Sequence, residues 1–170
     1  MIITAGNLKG QKVIAPDESR PTLSKVRMGV FNTLQSLTDF NGKTFLDMYA
    51  GSGIMGLEAL SRGFSKAVFI EDNPQVIKVL KTNLSTFQPL SPSTLLTGDS
   101  LKTAPKLGEF DVIYIDPPYF SGIYEQSLQA VKSIAGNIVI LEHVNEVNYA
   151  GYKLIKRKKY GNKLITFLTK

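Results

Sequence analysis

The sequence predicts an α/β fold: a mostly parallel sheet with helices on both faces, ending in an antiparallel C-terminal hairpin. Three observations carry this expectation. Short β-rich runs alternate with helical stretches from Phe45 to Leu141, the pattern of βαβ units. A glycine-spaced loop follows the first of those runs directly. The last two β-rich runs flank Gly161-Asn162, a dipeptide suited to a tight hairpin turn. At 170 residues the chain is long enough for one real core and too short for two ordinary domains.

Each element has a local reason. The N-terminal segment turns at Leu8-Lys9-Gly10 and closes at Val13-Ile14, as a small hairpin would. Ser24 to Leu37 predicts a helix, with Val26, Val30, Phe31, Leu34 and Leu37 on one face. Residues 1–40 are expected to form a small appendage, and residues 41–170 the main domain. Phe45 to Tyr49 reads as a buried strand, Ile54 to Arg62 as a short helix, and Ala67 to Glu71 as the second strand. Asn73 caps a helix that starts at Pro74 and runs to about Thr86, with Val76, Leu80 and Leu84 as its apolar stripe. Phe87 to Pro92 is a Pro/Ser loop, and Thr94 to Thr97 a third strand. Val112 to Ile115 and Ile138 to Leu141 are the fourth and fifth, separated by a helix near Tyr124 to Ser133. Tyr152 to Tyr160 and Lys163 to Thr169 complete a seven-stranded sheet.

Composition removes whole classes of chemistry. There is no Cys, hence no disulfide, thiol nucleophile or Cys-ligated metal. The single His argues against a His-based metal site, and none is expected. No apolar run approaches the roughly 20 residues of a membrane-spanning helix, and Met-Ile-Ile-Thr-Ala-Gly has no basic leader character. A cytoplasmic protein with no membrane partner is the expectation. The net charge of +6 is unevenly spread. Six bases oppose three acids in residues 1–44, seven oppose eleven in 45–150, and seven oppose none in 151–170. Two basic ends around an acidic middle suit a polyanionic partner. A Lys-blocked edge strand would look the same.

After the first strand comes Ala50-Gly51-Ser52-Gly53-Ile54-Met55-Gly56, with G-x-G-x-x-G spacing. The first two glycines permit a tight turn and a close ligand; the third lets helix pack on strand. Glu71 lies twenty positions after Gly51 at the end of the second strand, where a carboxylate accepts hydrogen bonds from ribose hydroxyls. Both a dinucleotide and S-adenosylmethionine present such a ribose. Asp47 precedes the loop and would brace it through backbone amides. Asp99, beside Ser100, would accept from an adenine amino group, cap the helix that follows, or both.

The fourth strand runs into Asp116-Pro117-Pro118-Tyr119, at the carboxyl end of a central strand where open α/β sheets bind ligands. Two prolines remove backbone donors and stiffen the segment. The Asp116 carboxylate and the proline carbonyls form an acceptor cluster beside an aromatic ring. That set suits a planar base bearing an amino group: acceptors take its hydrogens while Tyr119 stacks on the ring. Acceptors so placed favour the developing positive charge on a nitrogen attacking a sulfonium methyl. Glu58 and Arg62, spaced i, i+4, read as a surface ion pair. His143 reads as a loop residue outside the chemistry.

Taken together, these residues resemble the class I, S-adenosylmethionine-dependent methyltransferases. More narrowly, they resemble the bacterial 16S ribosomal RNA guanine-N2 methyltransferases of the RsmD type. The resemblance runs nearly end to end: Ile2-Ile3-Thr4-Ala5-Gly6, Lys9 to Lys12, Arg20-Pro21-Thr22, Lys25-Val26-Arg27 and Leu46 to Gly53 all carry it. So do Gly56-Leu57-Glu58-Ala59-Leu60-Ser61-Arg62, Asp116 to Tyr119 and Tyr160-Gly161-Asn162. It implies a Rossmann-like sheet whose last strand is antiparallel. S-adenosylmethionine would be held around Asp47, Ala50, Gly51, Ser52, Gly53, Glu71, Asp99 and Ser100, and released as S-adenosylhomocysteine. Asp116, Pro117 and Pro118 would hold the guanine amino group, with Tyr119 stacked on the base. Lys9, Lys12, Arg20, Thr22 and Arg27, with Lys156, Arg157 and Lys158, would contact 16S RNA, bare or in the 30S subunit. The protein would act as a monomer. The sequence departs from the family where an acid usually follows Arg-Pro-Thr (here Ser24) and where a Glu usually follows Val-Arg (here Met28). The usual Gly-Gly and Arg near the N-terminus are Ala5-Gly6 and Lys9. An adenine-N6 methylase shares Asp-Pro-Pro-Tyr and is the alternative. A dinucleotide oxidoreductase or a non-enzymatic RNA-binding factor would fit less of the pattern.

Overall fold

A computed structural model describes residues 1–17, 22–87, 92–118 and 122–170. Arg20, Pro21 and Tyr119 lie outside the described residues. The order of elements is α1 (Ser24–Leu37), β1 (Thr44–Asp47), α2 (Ile54–Ser61), β2 (Lys66–Glu71), α3 (Pro74–Phe87), β3 (Ser93–Thr97) and α4 (Ser100–Thr103). Then come β4 (Phe110–Ile115), α5 (Tyr124–Ala130), β5 (Ala135–His143), β6 (Lys153–Tyr160) and β7 (Lys163–Thr169). The seven strands form one sheet in the order β3-β2-β1-β4-β5-β7-β6. All pairs are parallel except β5–β7 and β6–β7. The chain thus winds one way from β1 to β3 and then returns to the other side of β1. That reversal opens a crevice at the carboxyl ends of β1 and β4, the switch point of a doubly wound sheet.

Strand alternation sorts the core into two layers. Phe45, Phe69, Val112, Tyr114, Ile140 and Phe167 face one side, against α1, α2, α3 and the N-terminal segment. Leu46, Val68, Ile113, Ile115, Val139 and Leu168 face the other, against α4 and α5. The central strands are buried on both faces and therefore read as continuous apolar runs. The expected N-terminal hairpin closes through an antiparallel bridge between Ile2 and Lys12. Its Ile3, Leu8 and Val13 share the core of Phe31 and Phe45.

Several boundaries move. β1 ends at Asp47, so Met48 and Tyr49 belong to the turn rather than the strand. The helix expected to reach Ser133 stops at Ala130. β5 is longer than its apolar run and takes in Glu142 and His143. His143 is therefore not a loop residue. It is fully buried, with Nδ1 2.6 Å from the Asn145 carbonyl oxygen and Nε2 2.8 Å from Thr166 Oγ1. Burial pushes its pKa down.

Two further expectations are corrected by the interior of the α1 side. Glu58 is not on the surface; it is 0% exposed. Its Oε1 accepts from the Thr4 amide (2.7 Å) and Arg27 Nε (3.3 Å). Its Oε2 accepts from Thr4 Oγ1 (2.9 Å) and Arg62 Nε (3.2 Å). Arg27 is not an RNA-facing residue either. It is 1% exposed, and its two terminal nitrogens donate to the backbone carbonyls of Thr22 and Ile2. A buried charge requires such partners, because desolvation without them costs several kcal/mol. Ser61, in the same helix, accepts from the Leu8 amide and donates to the Ala5 carbonyl. The run from Gly56 to Arg62 is thus the clamp that fastens the N-terminal segment and α1 to the domain. Replacing Glu58 by Ala leaves two guanidinium groups without their carboxylate. The expected loss is about 3–5 kcal/mol in urea denaturation, and a loss of a few tenths would mean an ordinary surface pair.

Candidate active site

The glycine loop leaves β1 and enters α2. Gly51 and Gly53 have φ of +54° and +81°, left-handed values that strain other residues. The two differ in what surrounds them. A Cβ on Gly51 would meet no atom within 4 Å, so this turn borders open space. A Cβ on Gly53 would lie 2.6 Å from Leu80 Cδ1, and one on Gly56 2.2 Å from Phe69 Cε1. The second and third glycines therefore serve packing of loop and helix on β2 and α3. Asn83, 2% exposed, holds the loop by donating to the Ser52 carbonyl oxygen at 2.9 Å.

Three carboxylates stand around this loop, each at the carboxyl end of a strand or just beyond it. Asp47 ends β1, is 1% exposed, and its Oδ2 accepts from the Gly56 amide at 3.2 Å. Burial pushes its pKa up to about 8, with the Gly56 bond opposing and the Glu71 charge adding. Glu71 ends β2. Its Oε2 accepts from the Gly51 amide (2.9 Å), and its Oε1 from the amides of Asp72 (3.1 Å) and Asn73 (3.0 Å). Carboxylate oxygens accept more than one bond each, so capacity remains for hydroxyls. Asp99 is exposed and caps α4 by accepting from the Leu101 amide at 2.9 Å. Buried Ser100 donates to the Met48 carbonyl at 2.6 Å.

Asp116 completes the crevice from the end of β4. It is half-buried, with Pro117 buried beside it. Thr22, Tyr49, Gly51 and Met55 join Asp47 and Asp116 around one cleft, whose described lining has two carboxyls and no base. Thr22, expected on the RNA surface, is 6% exposed and faces this cleft instead. Burial, then the neighbouring Glu142 charge, pushes the Asp116 carboxyl well above the usual range, while the Lys163 ammonium opposes. Neither Glu142 nor Lys163 belongs to a local sequence motif of the site. The available signal was a charged residue ending an apolar run, Ile138-Val139-Ile140-Leu141-Glu142, beside the Asp116 strand.

The charge of this cleft discriminates between ligands. A pyrophosphate would need the amides of the first turn of α2, and Asp47 already occupies that of Gly56. An anion there would also meet Glu71, which accepts from the Gly51 amide. A sulfonium cation with a ribose and no phosphate fits the same donors and acceptors, with Gly51 leaving room for it.

Comparison with known proteins places the chain in a family. The family described as conserved hypothetical protein 95 matches residues 1–169. The ribosomal RNA small subunit methyltransferase D of Haemophilus influenzae is 35% identical over 132 residues, 74% of this chain and 67% of that protein. The chain belongs to the RsmD-type family of ribosomal RNA methyltransferases. Among solved structures, yhhF from Escherichia coli, provisionally named a methyltransferase, superposes with a TM-score of 0.86 at 26% identity, covering 99% of this chain and 96% of that one. The Pyrococcus abyssi tRNA (uracil-54, C5)-methyltransferase, solved with S-adenosyl-L-homocysteine, shares the fold at a TM-score of 0.70 and 15% identity, over 92% of this chain and 41% of that one. The sheet is thus that of a Rossmann-like class I methyltransferase.

Within the RsmD-type pattern, the two missing acids fall in different surroundings. Ser24 is exposed, with its Oγ 3.4 Å from Arg27 Nη2 at the edge of the Glu58 clamp. Met28 is 43% exposed on α1. The basic residues also separate. Lys9 is exposed on a turn whose neighbours Asn7 and Leu8 bond Ser61, at the far end of α2 from the glycine loop. Lys12 is exposed beside the Ile2 bridge. Lys156 and Lys158 pair in register with Phe167 and Ile165, placing both on the Asp116 side of the sheet. Arg157 falls on the other side, paired with both Glu146 oxygens at 3.2 and 3.3 Å.

The Asp47 shift has a measurable consequence. Unfolded, this carboxyl ionises near 3.8, whereas the fold keeps its proton to about pH 8. The folded chain therefore binds a proton that the unfolded chain releases, and the carboxyl costs stability increasingly as pH rises through that window. Asp47→Asn retains an acceptor for the Gly56 amide and removes the ionisation. Its melting temperature should exceed the parent's by a margin that widens from pH 5 to pH 8.5. A constant margin in calorimetry would show that Asp47 does not hold its proton.

Proposed function

We propose that this protein transfers a methyl group from S-adenosylmethionine to the exocyclic N2 of a guanine in 16S ribosomal RNA. The observation that carries the reading is the acid-lined cleft between the glycine loop and Asp116-Pro117 at the sheet's switch point. Membership of the RsmD-type family supports it, as does the fold neighbour solved with S-adenosyl-L-homocysteine.

When bound, S-adenosylmethionine supplies an electrophilic methyl on a sulfonium. The chain's residues do the rest. Glu71 accepts from the ribose hydroxyls, and Asp99 from the adenine amino group. Ala50, Gly51, Ser52 and Gly53 shape the turn that lies against the ligand. Asp47 braces that turn through Gly56, and Ser100 anchors the segment after β3. On the acceptor side, the Asp116 carboxylate and the Pro117 carbonyl accept the amino hydrogens. They thereby orient a nitrogen whose lone pair is otherwise delocalised into the ring. Hydrogen bonds to the amino group strengthen as it becomes positive, which is stabilisation specific to the transition state, and the proton that the methylated nitrogen sheds passes to the Asp116 carboxylate. Tyr119 stacks on the base, and positioning supplies the remaining advantage.

Lys156 and Lys158 form the proposed contact to the RNA backbone, and Lys9 and Lys12 a second. Arg157 contributes less, because Glu146 already holds it.

The deciding assay is transfer of labelled methyl to unmodified 30S particles, protein-free 16S RNA and duplex DNA, with the labelled base identified after digestion. Label in N2-methylguanine is expected, and Asp116→Ala should abolish it while S-adenosylhomocysteine still binds. Label in N6-methyladenine would instead select the adenine methylase. In a separate binding titration, Lys156→Ala with Lys158→Ala should weaken RNA binding. The slope of log affinity against log salt should fall by about 1.4, two contacts at roughly 0.7 each for single-stranded sites. An unchanged slope would make these lysines blockers of an edge strand.

A further inference from the structure

We propose that Lys163 is a positioning residue for the transfer: by pairing with Glu142 it offsets the charge buried beside Asp116 and so favours the ionised, accepting form of Asp116 toward the substrate amino group. This rests on the reading of Asp116 given above.

The geometry is a three-strand relay beneath the cleft. Ile115 pairs with Leu141 in the parallel β4–β5 ladder, so the next residues, Asp116 and Glu142, are neighbours across it. Glu142 pairs with Ile165 in the antiparallel β5–β7 ladder, and Lys163 lies two residues before Ile165, on the same face. Glu142 is 0% exposed. Its Oε1 accepts from Lys163 Nζ, and its Oε2 accepts from the Tyr114 hydroxyl at 2.6 Å. Both oxygens of the inner carboxylate are therefore engaged, while Asp116 lines the cleft.

The charges facing Asp116 come from every neighbouring element. Glu142 on β5 and Asp47 on β1 are carboxyls; Lys163 on β7 is an ammonium. Tyr114 on β4 and Tyr124 on α5 are phenols whose pKa values burial raises, so they stay neutral. Arg27 on α1 is spent on Glu58. Lys163 is thus the cation that balances the Asp116–Glu142 pair among the described neighbours. Two adjacent buried carboxylates without a cation share a proton. A protonated Asp116 presents an O–H where the amino hydrogens need an acceptor.

The test uses the protein and four variants: Lys163→Met, Lys163→Arg, Glu142→Gln and, for assignment, Asp116→Asn. The Asp116 carboxyl is titrated by carbon NMR, assigned by its loss in Asp116→Asn, and the pH profile of kcat is measured in parallel. Lys163→Met should raise the Asp116 midpoint by a unit or more. The acid limb of kcat should move with it, and transfer near the parent midpoint should fall about fivefold. KM for S-adenosylmethionine should not move. Lys163→Arg should restore the parent profile, and Glu142→Gln should shift the midpoint downward. A Lys163→Met midpoint equal to the parent's overturns the proposal. If that variant does not fold, an unmoved midpoint in Glu142→Gln overturns it instead. A parent that methylates no guanine would refute the proposed function, while the carboxyl titration would still decide the role of Lys163.

Discussion

A single buried carboxylate organises the half of the molecule that carries the site. Glu58 sits in the interior between α2, α1 and the N-terminal segment. Its charge has no water to solvate it, so the fold must deliver donors: two arginines and both polar groups of Thr4. Those donors come from three separate stretches of chain. Satisfying one charge therefore fixes the N-terminal hairpin against α2, and Arg27 in turn fixes the Thr22 carbonyl at the mouth of the cleft. The Glu-Ala-Leu-Ser-Arg run that looks like a helix surface is the joint between appendage and domain.

The cleft has the opposite economy. There, carboxyls gather at the ends of β1, β2 and β4 with few counter-charges, and each is restrained in a different way. Glu71 is held by three backbone amides, Asp47 is held neutral by burial, and Asp116 sits between a carboxylate and an ammonium. The described lining of the cleft offers a phosphate no cation.

Much of this was legible because its signals are local. A glycine loop after an apolar run, an acid twenty residues later and Asp-Pro-Pro-Tyr at a strand end are short-range patterns. Backbone sterics and strand alternation translate these directly into structure. α1 matches its expected range because its apolar face is periodic and no proline lies within it. Arg27 and Glu58 were misread because sequence spacing reports only which residues share a helix face. It does not report whether another segment covers that face. Glu142 was passed over for the related reason that its partners, Tyr114 and Lys163, lie 28 and 21 residues away.

The sequence by itself determined the sheet, its antiparallel end, the glycine turn and the acids that border it, since each follows from patterns within a few residues. The tertiary structure decided which charges are buried. It turned Arg27 inward and Lys156 toward the Asp116 side, tied Arg157 to Glu146, and set Lys163 beneath the site. The physical reason is desolvation. A charge taken out of water is stable only beside partners that chain folding brings from a distance, and that distance is not written in any local motif.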